Sequence, residues 1–241
     1  MKFSSMHGLG SSQNYYVSLV PDFLKQNFRC ILFDNTGAGR SPYTHVEQSI
    51  DSLSNDIIGI LDALEIEKAI LVGHSMGGIV AGNLSATRSD RIVASVWIGP
   101  VYPGEHITAA FEKRIETVES QGMEAMANTI PNAAVGSKAN VLVKAMIREL
   151  LLGQDPAGYV SNCRVIACAK PPKYSKIKVP VLVIAGEEDK SAALNLVKKM
   201  YGEIGTEEKK LVVMEGVGHW QCLEAPELVA KHILDFYHEI Q

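Results

Sequence analysis

The chain has 241 residues, of which 46% are apolar and 21% charged, and a formal net charge of −4. That length can bury a sizeable core, and the composition excludes collagenous, coiled-coil and intrinsically disordered classes. The acidic balance and the scattered lysines exclude the basic stripe of a nucleic-acid binder, so no nucleic-acid partner is expected.

In chain order, apolar runs predict strands over 2–6 and 29–34, then an amphipathic helix over 49–64 whose Ile50, Leu53, Ile57, Ile60, Leu61 and Leu64 share one stripe. A strand over 69–73, a helix over 76–87 and a strand over 93–98 follow. The alternation then stops. Residues 101–174 carry helix-like stretches at 106–121, 139–152 and 156–169 and no convincing strand, which reads as a helical cap inserted over a sheet; helices packed at the side of the sheet are the plainer alternative. Strands over 179–185 and 210–214 and a helix over 226–240, with Pro226 in its first turn, complete the pattern. Near-continuous apolar strands alternating with helices predict an α/β fold, a mostly parallel sheet covered on both faces, in a single domain spanning 1–241.

No run approaches the roughly 20 apolar residues that span a bilayer, and the start MKFSSMHGLG lacks the apolar centre of a signal peptide. The expectation is a cytoplasmic protein with no membrane contact. Cys30, Cys163, Cys168 and Cys222 show neither a CxxC pair nor zinc-type spacing, so free and mostly buried thiols are expected.

The strongest chemical signal is Gly73-His74-Ser75-Met76-Gly77-Gly78, a G-x-S-x-G motif directly after a predicted strand and before a predicted helix. A sharp strand-to-helix turn would lift the Ser75 hydroxyl above the sheet edge as a candidate nucleophile. It would also leave the Met76 N–H at a helix N-terminus, where it can donate to an oxyanion. A chance Gly-x-Ser-x-Gly in an ordinary turn is the alternative, and no lysine follows as a phosphate-binding loop would require. A serine hydroxyl needs a positioned base. His219, in Gly216-Val217-Gly218-His219-Trp220 after the last predicted strand, falls on the same carboxyl-end edge as Ser75. His7 and His74 also fall near that edge, whereas His45, His106, His232 and His238 fall on loops or polar helix faces. Asp189 follows the strand over 179–185 and is the candidate carboxylate partner, with Glu187 and Glu188 as competitors. The turn His7-Gly8-Leu9-Gly10 offers the Leu9 N–H as a second oxyanion donor, or is simply a strand-end turn. Trp97, Tyr102, Arg164 and Trp220 are candidate substrate contacts, Arg164 as partner of a substrate carboxylate. No motif calls for a metal or an organic cofactor.

With HGLG at His7, FDNTGAGRS at Phe33, GHSMGG at Gly73, AGEED at Ala185 and GVGHW at Gly216, the chain resembles the α/β-hydrolase superfamily over nearly its whole length. The stretches Asp155-Pro156-Ala157-Gly158-Tyr159, Cys163-Arg164 and AGEED are similar to the 3-oxoadipate enol-lactonase and lactonase/esterase branch. The resemblance implies a serine hydrolase acting on a small ester or lactone through an acyl-serine, with homo-oligomerisation left open. A C–C bond hydrolase, a thioesterase and a triad-retaining small-molecule receptor are the rival readings. Two departures bear on this. The antiparallel strands that usually precede HGLG are expected to be missing, leaving a sheet edge exposed or covered by a partner. Asn35-Thr36 stands where related sequences carry an arginine before the glycine, and Lys190-Ser191 where they run on Pro-rich; both leave the substrate open.

Overall fold

A computed structural model of the protein describes residues 2–241. The chain lays down β1 (Lys2–Met6), α1 (Val20–Lys25), β2 (Arg29–Leu32), α2 (Ile50–Ala63), β3 (Ala69–His74), α3 (Met76–Thr87) and β4 (Ile92–Ile98). Four helices follow: α4 (Glu105–Gln121), α5 (Met123–Ala133), α6 (Val141–Leu152) and α7 (Pro156–Cys168). The pattern then resumes with β5 (Val181–Gly186), α8 (Leu194–Glu203), β6 (Lys209–Met214), α9 (Gln221–Glu224) and α10 (Pro226–Glu239). The strands form one sheet in the order β2-β1-β3-β4-β5-β6, and each neighbouring pair is parallel.

Strand parity explains how the sheet is covered. Successive side chains point to opposite faces, so Ile70, Val72, Val96, Ile98, Leu182 and Ile184 join one apolar cluster while Ala69, Leu71, Trp97, Val181 and Val183 join the other. The first cluster is closed by α1, α10 and the four inserted helices, the second chiefly by α2, α3 and α8. Because both faces are apolar, a parallel sheet here reads as continuous hydrophobic runs.

The element ends follow local chemistry. Ser49 caps α2 by accepting from the Ser52 N–H, and Ser52 returns the bond to the Ser49 N–H. Strand β2 stops at Leu32 rather than at 34, because Asp34 turns away to accept the N–H groups of Gln13 and Arg40. Strand β5 starts at Val181 rather than at 179; Pro180 has no N–H to give a ladder. The inserted segment holds four helices where the sequence suggests three. Helix α5 escapes the periodicity reading because Pro131 lies inside it. Helix α8 escapes it because only Val197 and Met200 reach the core. The four cysteines are free, but only Cys163 and Cys222 are buried, Cys30 is half-buried and Cys168 is exposed. Burial pushes the thiols of Cys163 and Cys222 up to about 12, which makes them packing groups rather than reactive ones.

Two glycines test these contacts in opposite directions. A Cβ on Gly77 would lie 2.3 Å from the Met6 carbonyl oxygen, whereas a Cβ on Gly59, exposed in α2, would have nothing within 4 Å. Gly77→Ala should therefore lose about 1–3 kcal/mol to overpacking. Gly59→Ala should gain up to about 1 kcal/mol from helix propensity. Denaturant unfolding of both variants checks the pair of signs.

Candidate active site

The turn between β3 and α3 places Ser75 at φ 54°, ψ −114°, a backbone conformation that L residues rarely adopt. The flanking glycines make it possible. A Cβ on Gly73 would lie 2.1 Å from the Gly77 carbonyl oxygen, and one on Gly77 would strike the end of β1. Two main-chain bonds hold the turn: Ser75 N–H donates to Ile98 O at 2.9 Å and Gly78 N–H to Ser75 O at 2.9 Å. The Ser75 hydroxyl stands beyond the carboxyl ends of the central strands.

The loop after β6 brings His219 to it. Ser75 Oγ lies 3.0 Å from His219 Nε2, and His219 Nδ1 lies 2.8 Å from Asp189 Oδ2. The carboxylate accepts, so Nδ1 carries the proton and Nε2 presents its lone pair to the hydroxyl. Asp189 sits in the loop after β5 and is buried. Its other oxygen accepts the Ser191 and Ala192 N–H groups at 2.8 Å each, and Gln221 Nε2 adds a longer bond of 3.3 Å to Oδ2. The competing carboxylates are committed elsewhere: Glu187 accepts the Gly216 N–H, and Glu188 accepts the N–H and hydroxyl of Ser137.

The other histidines near this edge are fixtures. His7 accepts the Asn35 N–H at Nε2 and donates from Nδ1 to the Gly8 carbonyl. His74 donates from Nε2 to the His219 carbonyl at 2.8 Å and stacks on Tyr15. Desolvation pushes the pKa of His7 down, and that of His74 well down, so both are neutral. Among the described residues, the Met76 and Leu9 N–H groups make no main-chain hydrogen bond outside regular helix or strand pairing. Met76 N–H lies at the first turn of α3, where the helix dipole adds to its donor strength.

Ser75 and His219 open into a cavity of about 250 Å³. The four helices between β4 and β5 line one side of it, with Ile107, Ala110, Phe111 and Arg114 from α4, Ile130 from α5, Leu151 from α6, and Tyr159 and Ile166 from α7. Leu9, Trp220, Lys190 and Ser191 line it from the sheet side. The other three candidate contacts lie outside it. Trp97 is fully buried on the opposite face, donating to Ser95 Oγ and packing towards Tyr174. Tyr102 reaches Glu203 on α8, and Arg164 pairs with Glu119 at 3.3 Å on the exposed side of α7. Sequence reasoning missed Arg114. It lines the cavity, stands 5.0 Å from the Phe111 ring centre, and among the described residues has no carboxylate within ion-pairing distance. Its signal was in the helical spacing, because Ile107, Phe111 and Arg114 share one face of α4. Among the described residues no cluster of three His, Cys, Asp or Glu could hold a metal ion, and no helix is long and apolar enough to cross a membrane.

A family model described as serine aminopeptidase, S33, matches residues 3–226. The chain is 27% identical over 225 residues to 3-oxoadipate enol-lactonase 1 of Acinetobacter baylyi, covering 90% of this chain and 82% of that one. It is 27% identical over 246 residues to the 2-hydroxy-6-oxo-6-phenylhexa-2,4-dienoate hydrolase of Comamonas testosteroni, covering 95% and 83%. Among solved structures, the enol-lactonase of Burkholderia xenovorans LB400 superposes with a TM-score of 0.91 at 26% identity, over 98% of this chain and 91% of that one.

The two neutral histidines set a pH dependence. Their native pKa values lie below the ordinary 6.5, so below that pH the unfolded chain takes up protons that the native state refuses, and stability falls with pH. Each histidine contributes a slope of at most about 1.4 kcal/mol per pH unit between 6.5 and its lower native value. Denaturant midpoints should drop from pH 7 to pH 5.5; a flat profile would show that neither group is held neutral.

Proposed function

The chain belongs to the serine aminopeptidase S33 family of α/β-hydrolases, and from that premise we propose that it hydrolyses a small ester or lactone through an acyl-serine formed on Ser75. The observation that carries this reading is the continuous chain Ser75 Oγ, His219 Nε2, His219 Nδ1, Asp189 Oδ2, with links of 3.0 and 2.8 Å. His219 takes the hydroxyl proton as Oγ attacks the carbonyl carbon, and Asp189 steadies the imidazolium that results. The Leu9 and Met76 N–H groups receive the oxyanion. As the tetrahedral intermediate collapses, the C–O bond breaks and His219 returns the proton to the leaving alcohol; with a lactone that alcohol stays tethered to the acyl group. A water deprotonated by His219 then attacks the acyl-serine, releasing the acid and restoring Ser75.

The four-helix insertion serves as the cap that shapes the acyl site. A cavity of about 250 Å³ suits a small substrate. Its lining includes Arg114 and Lys190 and no carboxylate, which favours a substrate bearing its own carboxylate, held by Arg114 instead of the surface-paired Arg164. The Comamonas relative supports a second reading, since its named substrate has no ester and its hydrolysis breaks a C–C bond.

Ser75→Ala should abolish hydrolysis of small aryl esters and lactones with the circular dichroism spectrum unchanged; activity within tenfold of wild type would overturn the assignment. Asp189→Asn should lower kcat by about 10⁴, because the amide favours the wrong His219 tautomer. A faster turnover of a vinylogous diketone than of any ester or lactone would favour the second reading. Arg114→Met should raise KM for carboxylate-bearing esters by about 30-fold or more, the loss of a desolvated charge pair, while a neutral aryl ester keeps its KM.

A further inference from the structure

We infer that Glu224 is a positioning residue: its carboxylate ties the His219 loop to the end of α5, so that the cap holds the base in place. The inference rests on the reading of His219 as the base. Glu224 ends the short helix α9, and its side chain folds back over the start of that helix. Oε1 accepts the N–H of Trp220, the N-cap of α9, at 2.9 Å, and Oε2 accepts the Gly218 N–H and the Gly136 N–H, each at 2.8 Å. Gly218 and Trp220 are the two neighbours of His219, and Gly136 belongs to the link between α5 and α6.

The remaining main-chain groups of His219 are fixed by the same junction. Its N–H donates to Ala134 O at 2.8 Å, and its carbonyl accepts from His74. The two glycine turns touch directly: a Cβ on Gly136 would lie 2.4 Å from Gly216 O, and one on Gly218 would lie 2.4 Å from Gly136 N. Lys138 N–H closes the contact onto Gly216 O at 3.2 Å. The next residue along, Ser137, binds Glu188 through both its N–H and its hydroxyl. Glu188 adjoins Asp189, so the α5–α6 link touches the loops of both the base and the acid.

A carboxylate suits this position because all three neighbours are donors and none is an acceptor. An amide in its place has one accepting oxygen and sets its own NH2 against at least one N–H. The loop would then relax, and the His219 imidazole would move relative to Ser75. A displacement near 1 Å in a proton-transferring pair costs about 100-fold in rate, and substrate binding, which depends on the roof side chains, would be spared.

The test is Glu224→Gln, with Ser75→Ala and His219→Ala alongside, assayed on a neutral aryl ester, together with thermal unfolding and the downfield proton resonance of the His219–Asp189 hydrogen bond. The expected result is a folded Glu224→Gln protein with kcat down by about 100-fold, KM within threefold of wild type, and the resonance lost or broadened. Glu224→Asp, which keeps the charge but shortens the reach, should fall between the two. Unchanged kcat and an intact resonance would overturn the inference. So would a loss of activity matched by global unfolding or by an equal rise in KM, either of which would make Glu224 an ordinary fold contact. Activity retained in Ser75→Ala or His219→Ala would instead sink the functional reading on which the inference rests.

Discussion

The structure turns on the backbone of Ser75, held at φ 54° between a strand and a helix. Such a conformation costs about 1–3 kcal/mol and persists only where its surroundings over-determine it. Here Gly73 passes within contact of the Gly77 carbonyl, Gly77 lies against the Met6 carbonyl, and Ile98 accepts the Ser75 N–H. The turn therefore depends on β1, β3 and β4 lying in register around it. Once it closes, the hydroxyl is aimed and the first N–H groups of α3 are left facing the same space. One local constraint thus orients the proposed nucleophile and one of its proposed oxyanion donors together.

The charges around that serine are arranged so that very little has to move. Asp189 is buried and accepts two main-chain N–H groups besides the His219 proton, so its carboxylate is held from both oxygens. His7 and His74, at the same sheet edge, are neutral by desolvation and put no positive charge beside His219, the proposed base. His74 instead supplies a donor to the His219 carbonyl. Burial at this edge leaves two uncharged imidazoles beside His219, whose own ring nitrogens are taken up by Asp189 and Ser75.

Features demanded by the backbone were legible in the sequence. The glycines of GHSMGG and GVGHW stand where a Cβ would collide with main chain, so their spacing reveals the turns and, with them, Ser75 and His219. Asp189 was legible from its place after a strand at the same edge. The side chains of the roof were harder to read. Trp97 is one residue from Ile98, and strand parity sends it to the opposite face from the cavity side of the sheet. Arg164 lies off the buried stripe of Tyr159, Cys163 and Ile166 on α7, whereas half-buried Arg114 shares a face of α4 with Ile107 and Phe111; helical spacing groups those three, but only helix packing decides that their face borders a cavity. Glu224 was illegible for a similar reason, because two of its three partners are local and the third comes from 88 residues away.

The roof and the sheet therefore carry different parts of the chemistry. Main-chain geometry at the sheet edge fixes the positions of Ser75, His219 and Asp189, and in the proposed mechanism such geometry would serve any acyl compound. Specificity must come from groups that the elbow does not constrain, and these stand on α4 to α7 and in the Lys190-Ser191 loop. The α5–α6 link joins the two parts through contacts with both the base and acid loops. A roof fastened in this way at the end of α5 is free to vary elsewhere, at α4 and α7, without disturbing the His219–Ser75 distance. Substitutions on those two helices would then exchange one acyl group for another at little cost in kcat, while substitutions near Gly136 would not.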